Sequence, residues 1–216
     1  MPKHFVSDKD ESVRLFKSDF MEFFSKVHFS VPLVIYLPVI AYFLYRSIAI
    51  FQIPVFPILG LIIAGIFFWT ITEYTLHRFV FHYHPTSDFG KKIHFIMHGV
   101  HHDYPSDSLR LVLPPSVSVP LAIGFYFLFD LTLGTTYTAP FYAGFVIGYL
   151  FYDIGHYAIH HFKMNNKFWA ALKDHHMRHH YVDPNKGYGV SSPLWDYVMG
   201  TMFRVVKKEK EAQKAA

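Results

Sequence analysis

Residues 141–161 read FYAGFVIGYLFYDIGHYAIHH, and this stretch joins the two properties that decide the fold. The apolar run around it, residues 139–159, is close to the roughly 20 residues that carry a helix across a bilayer core. Its end bears His156 and His160, which are four apart and so share one helical face. An apolar helix that delivers paired imidazoles to its own end predicts a metal site at one face of a membrane.

Three runs of similar character come earlier, at residues 31–51, 55–76 and 117–133. Pro54 and Pro57 punctuate the first pair of runs, and Gly134 and Pro140 the second, so the four spans are expected as two helical hairpins. Composition agrees: of 216 residues, 52% are hydrophobic and 19% aromatic, a membrane balance rather than a soluble one. The formal charge of +4 does not point to nucleic acid, because the basic residues flank the spans. With both termini on one side, that side receives Lys3, Lys9, Arg14, Lys17, Lys26, Arg78, Lys91, Lys92 and Arg110. It also takes every Lys and Arg from Lys163 to Lys214, which leaves Arg46 alone for the other side. The positive-inside bias therefore predicts cytoplasmic termini, and every histidine group falls on that same side.

The expected fold class is all-α: an integral membrane protein with four transmembrane helices and a cytoplasmic helical cap, built from residues 78–116 and the stretch after 161. Residues 1–30 form an N-terminal cytoplasmic or interfacial segment. Its weakly amphipathic run through Phe16, Phe20, Phe23 and Phe24 suits a membrane surface. Residues 31–206 make the membrane-embedded domain, and 207–216 a charged, solvated tail.

The absence of cysteine excludes disulfides, thiolate-bound zinc and iron–sulfur clusters, so any metal rests on histidine or carboxylate. Histidine is abundant, at 16 copies, and most of them are grouped. His77 and His82 stand at the end of the second span. On an ideal helix a separation of five turns them about 140° apart, so they need a local unwinding or serve different metals. His98, His101 and His102 lie at i, i+3 and i+4, where three rings on one face can converge. His156 and His160 form the pair already described, and His176, His179 and His180 repeat the triplet spacing. Ten imidazoles exceed what one ion takes, since zinc takes four ligands and octahedral metals six. Two ions with about five ligands each fit the count. Glu73 lies four residues before His77 and Asp153 three before His156, so each carboxylate is placed to orient a ligand ring from behind. Ionisable groups in apolar spans are costly unless they serve a function. His94, one turn before His98, and His175, beside His176, are assigned the same outer supporting role. His4 and His28 read as ordinary surface histidines.

These boxes and their flanks resemble the fatty acid hydroxylase superfamily of membrane oxygenases and desaturases, and within it the fatty acid 2-hydroxylases, or sphingolipid alpha-hydroxylases. The resemblance rests on Glu73-Tyr-Thr-Leu-His77-Arg-Phe-Val-Phe-His82, on His94-Phe-Ile-Met-His98-Gly-Val-His101-His102 and on Arg110-Leu-Val-Leu-Pro-Pro115. It extends to Tyr152-Asp-Ile-Gly-His156-Tyr-Ala-Ile-His160 and His176-Met-Arg-His179-His180. The resemblance implies a dimetal centre working as di-iron, with zinc possible in isolated protein. It also implies O₂ as co-substrate and insertion of one oxygen atom at the carbon next to an acyl carbonyl, in a free acid or a ceramide. Its implied ligands are His77, His82, His98, His101, His102, His156, His160, His176, His179 and His180, and Tyr152 is a candidate substrate contact. Many eukaryotic members carry an N-terminal cytochrome b5 domain. This sequence has neither the length nor a His-Pro-Gly-Gly motif for one, so a separate cytochrome b5-like or ferredoxin-like donor is expected, in a bacterial plasma membrane or an endoplasmic reticulum. A sterol or carotenoid hydroxylase or desaturase would share the boxes. A metal transporter is the remoter alternative, because transport sites lie near the bilayer midplane, whereas these groups sit at span ends.

Overall fold

The computed structural model describes residues 5–203, and within them the secondary structure is entirely helical. The expected tail 207–216, the last residues of the 31–206 domain and His4 lie outside the described residues.

Among the described residues, three helices are long and apolar enough to cross a membrane. The first is α2 (Ser30–Tyr45), which continues through a π-helical turn, Arg46–Ile50. The second is α3 (Val55–Thr75), which continues through another π-helical turn, Leu76–Phe81. The third is the long α6 (Pro115–His161). Each of them exposes large apolar side chains: Phe56 is 87% and Leu131 85% exposed. Length, composition and apolar surface together mark a membrane protein.

The α6 helix is not one straight rod. Gly134 takes φ 72° and ψ 154°, a backbone state that suits glycine alone, and the chain folds back there. The Tyr142 hydroxyl donates to the Ala122 carbonyl at 2.9 Å, and the Phe129 and Phe141 rings lie 4.9 Å apart, so the two arms run antiparallel. Runs 117–133 and 139–159 are therefore two arms of one bent helix.

The second arm of α6 is the centre of the bundle. It runs antiparallel to α2, with Phe43 against Tyr142 and Tyr36 against Tyr149. Against α3 it runs parallel, and here glycine decides the distance. A Cβ on Gly65 would overlap the Phe141 carbonyl oxygen, and one on Gly144 the Ile62 carbonyl oxygen. Close backbone approach at small residues is a usual way for helices to pack where no hydrophobic effect drives them together. Farther along, Gly148 receives the Trp69 side chain. The same residue offset that pairs Gly65 with Gly144 and Trp69 with Gly148 pairs His77 with His156, which places both histidines level at one end of the bundle.

That end is covered by short helices and loops. They comprise α1 (Asp19–Phe24), α4 (Asp88–His94) running through a π-helical turn, Phe95–Gly99, into α5 (Val100–Asp103), then α7 (Lys167–Tyr181) and α8 (Leu194–Val198). Among the described residues before α2, only α1 is helical, capped by Ser18, and the irregular chain ahead of it is hydrogen-bonded to the cap. Val6 and Ser7 donate their N–H groups to the Asp103 carbonyl, and Tyr181 and Ser106 donate to Asp8.

Candidate dimetal site

The π-helical turn at Leu76–Phe81 resolves the i, i+5 problem. The His82 N–H donates to the His77 carbonyl at 3.0 Å, the five-residue bond of a π-helix, and the widened turn brings one ring over the other, 4.9 Å apart. Local unwinding is the arrangement found, and it places both rings in one group.

The two triplets behave differently from the expected single-face convergence. His98 and His102 join His77, His82 and His179, whereas His101 joins His156, His160, His176 and His180. Residues i+3 and i+4 are about 100° apart around a helix, so neighbouring histidines fan to opposite sides. Each triplet therefore straddles two groups of five. Within each group one nitrogen from every ring lies within 4.8 Å of the others. The groups adjoin, with the His102 and His180 rings stacked at 4.3 Å.

The inward nitrogens are chemically unsuited to one another without a cation between them. His98 Nε2 lies 3.1 Å from the Nε2 atoms of His77, His82 and His102. His176 Nε2 lies 2.8 to 3.0 Å from those of His156, His160 and His180. One ring nitrogen offers either one proton or one lone pair, so at most one of the three approaches to each central nitrogen is a well-made hydrogen bond. Two tautomers are fixed from outside. His77 Nδ1 donates to the Tyr188 carbonyl at 2.6 Å and His179 Nδ1 to the Lys186 carbonyl at 2.7 Å. A carbonyl only accepts, so the proton sits on Nδ1 and a bare Nε2 lone pair points inward. Burial, reinforced by the surrounding histidines, holds His98, His101, His102, His176, His179 and His180 well below the ordinary imidazole range. Neutral, convergent imidazoles are the donor set that divalent iron or zinc takes.

The supporting shell differs from the expected one. Glu73 does not reach His77; its carboxylate accepts the N–H groups of Val190 and Ser191 and the Ser191 hydroxyl. Asp153 does not reach His156; it accepts the Leu113 N–H and the Tyr149 hydroxyl, each at 3.0 Å. A carboxylate on the same helix face as a histidine points its oxygens at whatever N–H groups pack there, and in both cases a loop arrives first. His94 belongs to neither group; its ring faces His84, 5.9 Å away. His175 acts at a remove, meeting Asp196 at 3.0 Å.

Asp196, which sequence reasoning missed, is completely buried and accepts four hydrogen bonds, from Tyr188 N–H, Gly189 N–H, His175 and Thr201. It thereby holds the loop whose Lys186 and Tyr188 carbonyls orient His179 and His77. An acid within the apolar run Leu-Trp-Asp196-Tyr-Val was the available signal; the carbonyls had none.

A cavity of about 460 Å³ runs from Phe20 and Phe24 of α1 to Tyr152, His98, His101 and His156. Tyr152 thus stands in its wall, stacked on His156 at 5.8 Å.

Comparison with known proteins gives concordant results. The model of the fatty acid hydroxylase family matches residues 62–201. A dihydroceramide fatty acyl 2-hydroxylase of Arabidopsis thaliana is 43% identical over 195 residues, which cover 89% of this chain and 81% of the plant protein. Human fatty acid 2-hydroxylase is 38% identical over 213 residues, covering 88% of this chain but 56% of the human protein. Among solved structures, full-length scs7p, in which only the hydroxylase domain is visible, superposes with a TM-score of 0.81 at 36% identity, covering 86% of this chain and 70% of that one.

Proposed function

Because this chain belongs to the fatty acid hydroxylase family, we propose that it is a membrane monooxygenase that places a hydroxyl group on the 2-carbon of a fatty acyl chain, carried as a ceramide or related sphingolipid. The observation that carries the reading is a cavity with largely apolar walls that ends on His98, His101 and His156, members of both histidine groups.

His77, His82, His98, His102 and His179 would hold one ion, and His101, His156, His160, His176 and His180 the other. When bound, such a pair supplies O₂ activation and the oxidising power to functionalise an unactivated C–H bond. Iron is the native metal in this reading, and zinc its replacement in isolated protein. The protein's own part is positional. The Lys186 and Tyr188 carbonyls hold two rings with their lone pairs inward, and the apolar cavity wall lines up an alkyl chain and excludes water. An external cytochrome b5-like or ferredoxin-like donor provides electrons. The two α6 arms serve as the third and fourth spans, with the metal face and both termini cytoplasmic, as the distribution of Lys and Arg favours. Glu73, Asp153, Asp196 and His175 brace the site through loops.

The test is expression of wild type and His98→Ala in membranes with a reductase system, followed by metal analysis and lipid mass spectrometry. Wild type is expected to bind two metals per chain and yield 2-hydroxy acyl lipid, and the variant to yield none. Undiminished 2-hydroxy product from His98→Ala overturns the reading, as does a modified isoprenoid or desaturated chain from wild type.

A further inference from the structure

The segment Arg110-Leu-Val-Leu-Pro-Pro115 follows the second histidine box and has so far no chemical role. Arg110 lies in the wall of the cavity that ends on the histidines, with its side chain only 3% exposed. Its terminal nitrogens are engaged: one donates to Glu22 at 2.7 Å and the other to Asp107 at 3.2 Å. The Arg110 Nε–H is also buried, and among the described residues it meets no acceptor. A buried donor without a partner is costly. The arrangement is that of a guanidinium clamped by two carboxylates with one directional donor left over.

A second feature of the same cavity has the same polarity. Pro114, Ser116 and Val117 line it, so the N-terminus of the long α6 helix opens there. Pro115 carries no N–H and those of Val117 and Ser118 go to the Pro114 carbonyl, so it is the helix dipole that makes this end favourable to a partial negative charge. The two features lie close to the histidines. Leu113 donates its N–H to Asp153, one helical turn before His156, and Leu113 stands three positions after Arg110. Three residues of extended chain reach at most about 11 Å. The rest of the lining is largely apolar, with Phe20, Phe24 and Val112 among it.

We propose that Arg110, which lines the same cavity as the α6 N-terminus, is the anchor for the carbonyl end of the acyl substrate: its Nε–H takes an oxygen of the carboxyl-derived head and so fixes which carbon faces the metals. The inference rests on the hydroxylase reading and deepens it. A histidine-bound metal pair has no means of counting carbons along a uniform alkyl chain. Only the carbonyl end distinguishes C2 from C3, and a donor held by a buried ion cluster is rigid enough to register that difference. Glu22 and Asp107 serve as positioning residues, since they aim the guanidinium. Glu22 also accepts the N–H groups of Leu15 and Phe16, which ties the N-terminal segment to the same cluster.

The experiment compares wild type and Arg110→Lys, in metal-loaded protein in vesicles, on N-hexadecanoyl dihydrosphingosine and on the N-hexadecyl analogue that lacks the carbonyl oxygen. Lysine keeps the charge for Glu22 and Asp107 but has no Nε–H fork. Binding is measured without an electron donor, and the position of hydroxylation with one. Wild type is expected to prefer the acyl lipid by about tenfold to a hundredfold, the range of one hydrogen bond from a charged donor. Arg110→Lys should lose that preference and spread hydroxylation to C3 and beyond. If it fails to fold, Glu22→Gln/Asp107→Asn/Arg110→Met removes the whole buried charge cluster, an exchange that cores often tolerate, and must show the same loss. A folded variant of either kind that keeps both the acyl preference and exclusive C2 hydroxylation overturns the proposal. Wild type that hydroxylates no acyl lipid at C2 overturns instead the functional reading beneath it.

Discussion

Gly65 of α3 and Gly144 of α6 meet backbone to backbone, with no room for a Cβ on either. The contact sets how far α3 slides along α6 and therefore holds His77 level with His156.

Gly144→Ala should consequently damage the site from a distance. The added methyl meets the Ile62 backbone, which cannot rotate away, so the helices must part. Overpacking of this kind costs about 1–3 kcal/mol, and melting in detergent should show it as a lowered midpoint, together with reduced metal content. Gly60→Ala, on the same α3 but with nothing within 4 Å of its Cβ, should stay within about 0.5 kcal/mol of wild type. Equal effects from the two would contradict this account of the register.

Adjacent histidines should report on different ions. His179 belongs to the group of His77 and His82, and His180 to the group of His101 and His156. Metal analysis of His179→Ala and of His180→Ala should each find about one ion retained. His82→Ala/His179→Ala should lose no more than His179→Ala alone, whereas His179→Ala/His180→Ala should lose both. Identical metal loss in all four variants would mean that the groups act as one site.

Replacing Glu73 by leucine leaves the Val190 and Ser191 N–H groups without their acceptor. A buried donor so stranded costs about 1–3 kcal/mol. Glu73→Gln retains a carbonyl oxygen for them and should be much milder. If thermal melting ranks the two variants equally, the carboxylate is not holding this loop.

The stability contributed by Asp196 should depend on pH. Burial alone would raise this carboxyl, but hydrogen bonds from His175, Thr201 and Gly189 overcome it and hold the group below the ordinary carboxylate range. Its unfolded counterpart titrates near 3.9. A carboxyl lowered on folding stabilises fully above the unfolded value, and that stabilisation is lost as pH falls through the folded one. The melting difference between wild type and Asp196→Asn should therefore be constant from pH 7 to about pH 5 and shrink below pH 4. A gap that widens in acid would reverse the assigned sign.

Much of the molecule was legible from local pattern. Apolar run lengths located α2, α3 and both arms of α6, and Gly134 marked the bend because only glycine takes that backbone state. The histidines were legible by type and spacing, and so was their number relative to what two ions need. The i, i+5 spacing of His77 and His82 left two readings open, because a π-helical turn has no dependable signature in residue type. The shared face expected of His98, His101 and His102 was wrong in detail. Helical spacing says that the rings are near one another, whereas their division between two centres depends on what stands on either side.

Sequence by itself determined the class of this protein: apolar periods long enough for a membrane, a histidine set too large for one ion, and flanks shared with one family. These are local properties, written in composition and in separations of a few residues. Tertiary structure decided which five rings face each group, that the Tyr188 and Lys186 carbonyls rather than Glu73 or Asp153 fix ring tautomers, and that Arg110 stands in the wall of the same cavity as His101. Those relations join residues up to 111 positions apart, and the ones that fix His77 and His179 run through backbone carbonyls that every residue type carries alike. No pattern of side chains encodes them before the chain has packed.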